Sequence, residues 1–204
     1  MAGLGAIHDV GESIAQLLQR RRALAAAAGQ IAPVPAAEAI VHLPIAAIGG
    51  TAPPSSGLSV TCLHVGYSEH NLKRVAVRDP AASHGISLEL LFLLASWSAA
   101  AADELALIGW AMLELNRFPQ LDRSLLVNPG SWARDESLQI VPEEASAEEL
   151  FRIWEALKQR YRVSALFRVR VVRIGYGPTL DGPPVVASRL SFAHGDVLEP
   201  AVPA

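Results

Sequence analysis

A nearly continuous apolar stretch extends from Leu90 to Leu113, interrupted by the acidic pair Asp103 and Glu104. A helix that spans a bilayer needs about 20 consecutive apolar residues, and the uncharged part of this stretch, 90–102, is shorter. Carboxylates near the centre of a bilayer are also strongly unfavourable. The stretch therefore predicts a protein core and argues against a membrane segment.

The two halves of this stretch have different periods. Residues 86–97 carry large apolar side chains at both odd and even positions, which is typical of a central strand buried on both faces. The second half predicts a helix over 101–117, with Asp103 and Glu104 in the first turn, where the helix dipole favours acids. The apolar positions at helical spacing are Leu105, Ile108, Met112 and Leu115, with Leu107 and Ala111 beside them.

The same criteria predict elements elsewhere in the chain. Helices are expected at 7–28 and 146–160, strands at 39–48, 58–67, 137–141 and 162–175, and irregular segments at 31–37, 49–57 and 119–136. Pro44 suggests that its strand lies at an edge or breaks there. Ser146 followed by Glu149 predicts a capping box. The apolar face of the first helix comprises Ile7, Val10, Ile14, Leu17 and Leu18.

The order of these elements predicts the α/β class, with a mixed β-sheet packed by helices in a two-layer sandwich. Residues 1–175 would form this domain. Residues 176–204, rich in Gly, Pro and small apolar side chains, would form a C-terminal extension.

The amino-acid composition limits the classes of protein to which this chain could belong. The chain has 204 residues, a net charge of -3 and 51% hydrophobic residues, which suits one domain and implies no charge-driven nucleic-acid partner. The single cysteine, Cys62, excludes an internal disulfide and is expected to be a buried, inert thiol. The N-terminus lacks a basic segment followed by an apolar core, so a cytoplasmic location is expected.

The sequence offers little catalytic chemistry. None of the six histidines forms a helical metal-binding pair, and His64, His70 and His84 are most simply ordinary surface or turn residues. Neither a nucleophile elbow nor a phosphate loop is present. Asp103 and Glu104 point in different directions on a helix. We therefore predict no enzyme activity, catalytic residue, metal or cofactor.

Six side chains are candidates for a protein interface. Trp132 lies in a Pro/Gly-rich loop, where it would either contact a protein or fold back on its own domain, and Arg134 follows it. Arg168 and Arg170 share one face of the last strand, opposite Phe167, Val169 and Val171, and either pair with acids of a neighbour or face solvent. Arg20 and Arg21 belong to an arginine run on the first helix, which would contact an acidic partner or remain solvated.

Two blocks carry a resemblance to a known family. "LELLFLLASWSAAAADELALIGWAMLELNRFPQL" contains a strand that ends in W-S, an acidic D-E pair, L-x-x-L/I-G and an apolar helix that ends at a proline. "SLQIVPEEASAEELFRIWEALKQRYRVSALFRVRVVRI" is the second block. Together they resemble the cap, or tail-terminator, domain of extracellular contractile injection systems of the antifeeding-prophage and virulence-cassette type. The resemblance covers about residues 5–175, although Leu105 stands where a histidine often follows the D-E pair.

The resemblance implies a structural, non-enzymatic role. Such proteins assemble as a homo-hexameric ring that closes the end of the tube and sheath distal to the baseplate. The expected partners are further copies of the chain, the sheath protein and the inner-tube protein, without nucleic acid, membrane or cofactor. Assembly would occur in the cytoplasm, as part of a phage tail-like particle. The alternatives are a small cytoplasmic α/β enzyme or ligand-binding domain, and a phage tail-completion protein.

Overall fold

A computed structural model describes residues 2–29, 39–50, 56–68, 85–134 and 136–175. The predicted linker 31–37 and extension 176–204 lie outside these residues, as do His70, His84 and most of the 49–57 loop. The elements in chain order are α1 (Ala6–Ala27), β1 (Ala39–His42), α2 (Ile45–Ile48), β2 (Gly57–Tyr67), β3 (Gly85–Trp97), α3 (Ala101–Arg117), β4 (Gln120–Asp122), a 3-10 turn (Pro129–Ser131), β5 (Ser137–Glu143), α4 (Ala147–Ala156) and β6 (Ser164–Gly175).

The strands form one six-stranded sheet in the order β1-β2-β3-β6-β5-β4. The β1–β2 pair is parallel and the other pairs are antiparallel, so the sheet is mixed, as predicted. Gly57 begins β2 with a φ of 103°, and a Cβ there would lie 2.1 Å from the carbonyl oxygen of Ala39. Only glycine allows both this backbone conformation and the close approach of β1.

Helices α1 and α3 cover one face of the sheet and form the predicted two layers. Ile14 and Leu18 of α1 and Ala111 of α3 pack against strand residues that include Phe92 and Val169. The Phe92 and Phe167 rings stack with centroids 5.8 Å apart. This larger core holds the curved sheet against both helices and accounts for most of the buried apolar side chains.

A second, smaller core covers one end of the opposite face. Trp97 of β3 and Trp154 of α4 meet edge to face with ring centroids 5.9 Å apart. Their indole N–H groups donate to Ser59 and Ser164, at 2.9 and 3.0 Å respectively. Both tryptophans are thus buried in this core, and β3 is buried on both faces along its second half.

Several predicted boundaries are confirmed and others are wrong. The strand expected at 39–48 is an edge strand that stops at His42, because Pro44 introduces the short helix α2. The expected irregular segment 119–136 contains strand β4, and the helix expected to reach residue 160 ends at Ala156, just before Lys158 adopts a φ of 55°. The predicted capping box of Ser146 is present.

The predicted apolar face of α3 is partly wrong. Ile108 and Leu115 are buried as expected, but Leu105 and Met112 are 58% and 50% exposed. Leu107 and Ala111, noted beside that series, are buried together with Ile108 and Leu115. Because α3 is apolar around most of its circumference, the spacing of apolar residues could not select the buried side.

A bulge corrects the predicted faces of β6. The pairing with β3 runs from Arg170 opposite Glu89 directly to Val172 opposite Leu88, so Val171 is the extra residue. The buried series is therefore Phe167 and Val169, then Val172 and Ile174. Cys62 of β2 also departs from expectation, since it is half-buried, although burial still raises the pKa of its thiol.

Two leucines of α1 test the burial of this helix. Leu18 is 0% exposed and Leu24 is 58% exposed. We expect Leu18→Ala to lower the free energy of unfolding by about 2–5 kcal/mol, because it leaves a cavity under α1. Leu24→Ala should change it by less than about 0.5 kcal/mol. Urea unfolding followed by circular dichroism measures both values, and equal losses would contradict this packing.

Candidate interaction surfaces

Beyond the tryptophan pair, the same face of the sheet carries charged side chains. The strand register places Arg168 opposite Leu91, Arg170 opposite Glu89 and Arg173 opposite Ser87. Residues paired across strands project to the same side of a sheet. We call the surface formed by Arg168, Arg170, Arg173, Glu89 and Glu143 the arginine face.

Arg168 is already paired within the chain. Its guanidinium donates to both carboxylate oxygens of Glu143, at 3.0 and 2.5 Å, and lies 3.6 Å from Glu89. These hydrogen bonds lower the pKa of Glu143 and raise that of Arg168, because each group stabilises the charged form of the other. This bidentate contact fixes the Arg168 side chain between β3 and β5. Arg168 is therefore less available to a partner outside the chain.

Arg170 and Arg173 present their charge to solvent. Both side chains are exposed, and neither forms an ion pair with a described residue. The sequence pattern did not indicate Arg173, because the bulge at Val171 moves this residue onto the same face as Arg168 and Arg170. Strict alternation of side chains along β6 would have placed Arg173 on the opposite face of the sheet. No local sequence signal predicts the bulge.

The two arginines predicted on α1 have different environments. Arg21 donates to Glu114 of α3 at 2.6 Å, and its guanidinium lies 5.1 Å from the centroid of the Phe118 ring. Both partners of this ion pair are largely buried. Arg20 is exposed and contacts only Gln16, at 3.3 Å, among the described residues. Arg21 therefore joins α1 to α3, and Arg20 remains the interface candidate.

Of the two alternatives for Trp132, the structure shows the buried one. Trp132 is 4% exposed and belongs to the larger core, and its indole N–H donates to the carbonyl oxygen of Val127 at 3.0 Å. The alternative, in which the loop folds back on its own domain, is the one observed. Arg134, two residues later, is exposed and stays an interface candidate.

The exposed side of α3 is apolar. Leu105, Met112 and Leu113 are 58%, 50% and 70% exposed, and Gly109 lies between them along the helix. We call this surface, formed by Leu105, Gly109, Met112 and Leu113, the outer face of α3. Large apolar side chains clustered on a surface helix commonly mark a site of protein contact. The helical spacing of apolar residues predicts two of them, Leu105 and Met112, on the packed side of the helix.

An apolar cleft of about 50 Å³ lies between α3 and β5. Asn116 is the only polar residue in its lining, and none of the lining side chains titrates. Across the described ranges, no three His, Cys, Asp or Glu side chains converge in a way that would hold a metal ion. None of the described helices combines the length and the apolar character needed to span a bilayer.

Of the three histidines whose positions are described, His8 and His42 lie close together and His64 lies apart from them. The rings of His8 and His42 have centroids 5.2 Å apart, where burial lowers the pKa of His42, and His64 lies exposed on β2. The arginine face and the outer face of α3 are therefore the candidate interaction surfaces among the described residues.

Comparison with known proteins places the chain in a family. The family model of the Pvc16 N-terminal domain matches residues 9–188, which is most of the chain. A search of curated proteins gave no significant match.

Two solved structures match the chain at low sequence identity, one of them with a TM-score above 0.5. The sheath/tube terminator of an extracellular contractile injection system, PVC, in its extended state shares 16% identity and a TM-score of 0.52, over 95% of this chain and 65% of that one. The cap of the anti-feeding prophage shares 16% identity and a TM-score of 0.44, over 67% of this chain and 50% of that one. The matched part of this chain thus spans 65% of the terminator's chain and 50% of the cap's chain. The first similarity supports the predicted mixed sheet packed by helices.

The pairing of Glu143 with Arg168 makes stability depend on pH. Because the folded state lowers the pKa of Glu143, its contribution is present above the ordinary carboxyl pKa of about 4.3 and is lost as pH falls through the lower folded value. We expect Glu143→Gln to lower the free energy of unfolding by about 1 kcal/mol at pH 7, with the difference shrinking towards pH 3. Urea unfolding over this range measures it. Glu144→Gln, at the exposed neighbour, is the control, and a pH-independent difference for Glu143→Gln would contradict the pairing.

Arg20 and Arg21 form a matched pair of variants. Arg21→Ala should lower the free energy of unfolding by roughly 1–3 kcal/mol, because it leaves the largely buried Glu114 without its partner. Arg20→Ala should have little effect, since this side chain is exposed. Chemical denaturation of the two variants measures the difference. Similar losses would show that the contact between α1 and α3 does not depend on the Arg21–Glu114 pair.

Proposed function

Because the chain belongs to the Pvc16 N-terminal domain family, we propose that it is a structural cap, or tail terminator, of a contractile injection system. In this role six copies form a ring that closes the end of the tube and sheath distal to the baseplate. The match of the family model over residues 9–188 carries the proposal. The name of one structure of similar fold, a sheath/tube terminator, supports it.

The fold suits a rigid ring subunit. A ring requires head-to-tail interfaces, in which two different surfaces of each copy meet and the rotation closes. The six-stranded sheet is fixed by a core on each face, so side chains at its surface are held in place. Such a scaffold can present separate contact surfaces without rearranging when it assembles.

The exposed arginines supply contacts for the ring or the sheath. Arg170 and Arg173 project from the arginine face, and Arg134 and Arg20 are exposed elsewhere on the chain. We assign Arg20, Arg134 and Arg170 from the original candidates to contacts with acidic side chains of a neighbouring copy, the sheath or the inner tube. Arg21, Arg168 and Trp132 act within the chain and hold these surfaces in place.

The same proposal includes where the chain assembles and which partners it has. The chain would assemble in the cytoplasm and become a component of a phage tail-like particle. Its partners would be further copies of itself, the sheath protein and the inner-tube protein, with no nucleic acid, membrane, cofactor or catalytic step.

Removing the chain from a strain that makes the particles tests this function. We expect tubes and sheaths of uncontrolled length with open distal ends, because nothing stops polymerisation, and expression of the wild-type chain should restore uniform particles. Negative-stain imaging measures length and end structure. Particles of unchanged length with intact ends would contradict the proposal.

A charge reversal tests the contribution of the arginine face in the same assay. Arg170→Glu should fail to restore uniform length, because it places an acid where an acidic partner is expected. Arg152→Glu on α4 is the control, since this exposed arginine is already paired with Glu148 at 2.7 Å. Equal restoration by both variants would remove Arg170 from the contact.

A further inference from the structure

The outer face of α3 is unusual for a surface helix. Since an α-helix turns by about 100° per residue, Gly109 marks the centre of the exposed side, with Leu105, Met112 and Leu113 within about 60° of it. These three side chains are at least half exposed. A surface helix normally carries polar residues on this side. Among the α3 residues within about 60° of Gly109, only the exposed Asn116 is polar, and this largely apolar stripe indicates a surface that another protein covers.

Gly109 gives a second, independent indication. Apart from its chain neighbours and the backbone of its own helix turns, no heavy atom lies within 4 Å of the position that its Cβ would occupy, so the packing leaves room for a side chain there. Glycine in the interior of a helix is nevertheless less stable than alanine by about 1 kcal/mol. Its absence of a side chain suits a place where a second helix backbone comes close.

The charges at the two ends of the stripe identify the occupant. Asp103 lies near the start of α3 and Arg117 at its end, both are exposed, and neither forms an ion pair with a described residue. Both project to the same side of the stripe, about 120° and 80° from Gly109. Consider a second α3 that crosses the first at Gly109 in the antiparallel direction. At each end of the contact, Asp103 of one copy would lie beside Arg117 of the other. Leu105 of one copy would likewise lie beside Leu113 of the other. A parallel arrangement would instead bring like charges together.

We propose that two copies of this chain pair through the outer face of α3, antiparallel and crossing at Gly109. The contact is two-fold symmetric and closes at two copies, whereas a ring needs head-to-tail contacts. The pairing thus goes beyond the proposed cap function and does not depend on it. It shields the apolar stripe of the free chain from water before the chain meets its other partners.

The mass of the full chain in solution is the first test. Sedimentation equilibrium at micromolar concentrations should give a dimer. Leu113→Asp and Gly109→Leu should each weaken dimerisation at least tenfold, while Leu24→Asp, at a leucine similarly exposed on α1, should not. Circular dichroism and urea unfolding check that each variant is folded. Asp103→Arg and Arg117→Asp should each weaken the dimer, and their combination should restore it.

Cysteine cross-linking tests the antiparallel arrangement. In a Cys62→Ala background, a mixture of Leu105→Cys and Leu113→Cys chains should form a disulfide-linked dimer upon mild oxidation. Either chain alone should not, because residue 105 and its own copy would be about 12 Å apart along the helix axes.

Several results would overturn the pairing. These are a monomer at every concentration, a dimer unaffected by Leu113→Asp and Gly109→Leu, or cross-linking of each cysteine chain with itself. A six-copy ring that is insensitive to the α3 variants would overturn the pairing and leave the cap proposal standing. A dimer with the expected cross-link, together with particles whose length does not depend on the chain, would overturn only the cap proposal.

Discussion

The burial of β3 on both faces is the constraint on which the rest of the structure depends. Between β2 and β6, its Phe92 and Leu94 contribute to the larger core, and its Leu93 and Trp97 contribute to the smaller one. A strand with water on one side would need only one layer of helices. Because β3 excludes water from both sides, α1 and α3 must pack on one face while α2 and α4 close one end of the other.

The burial of β3 also determines which charged residues remain exposed for contacts with other proteins. Near the tryptophan pair the second face is covered, and farther along it is open and polar. Arg168 lies at the transition and is held by Glu143 and Glu89. Arg170 and Arg173 lie beyond it and are exposed. The proposed polar contacts of the cap therefore come from the part of the sheet that the smaller core leaves open.

The two proposed surfaces differ in chemistry, and this difference suits different associations. The arginine face is positively charged and would need an acidic surface of another kind, which suits head-to-tail or heterologous contact. The outer face of α3 is apolar at its centre and oppositely charged at its ends, so it complements a second copy of itself. One chain thus carries a surface for unlike partners and a surface for its own copy.

The sequence by itself determined the elements that depend on local chemistry. The capping box at Ser146, the break at Pro44, the central apolar strand and the α/β class follow from hydrogen bonds within one turn and from patterns of burial along one strand. The two motif blocks led to the family that the match over residues 9–188 then showed.

Only the tertiary structure decided the sites. It buried Trp132, paired Arg21 with Glu114 and Arg168 with Glu143, inserted the bulge that brings Arg173 beside Arg170, and selected the buried side of α3. Each of these outcomes joins residues that are distant in sequence or depends on strand register. A helix that is apolar on nearly every side carries no local preference for one side, so its neighbours in the folded chain make that choice.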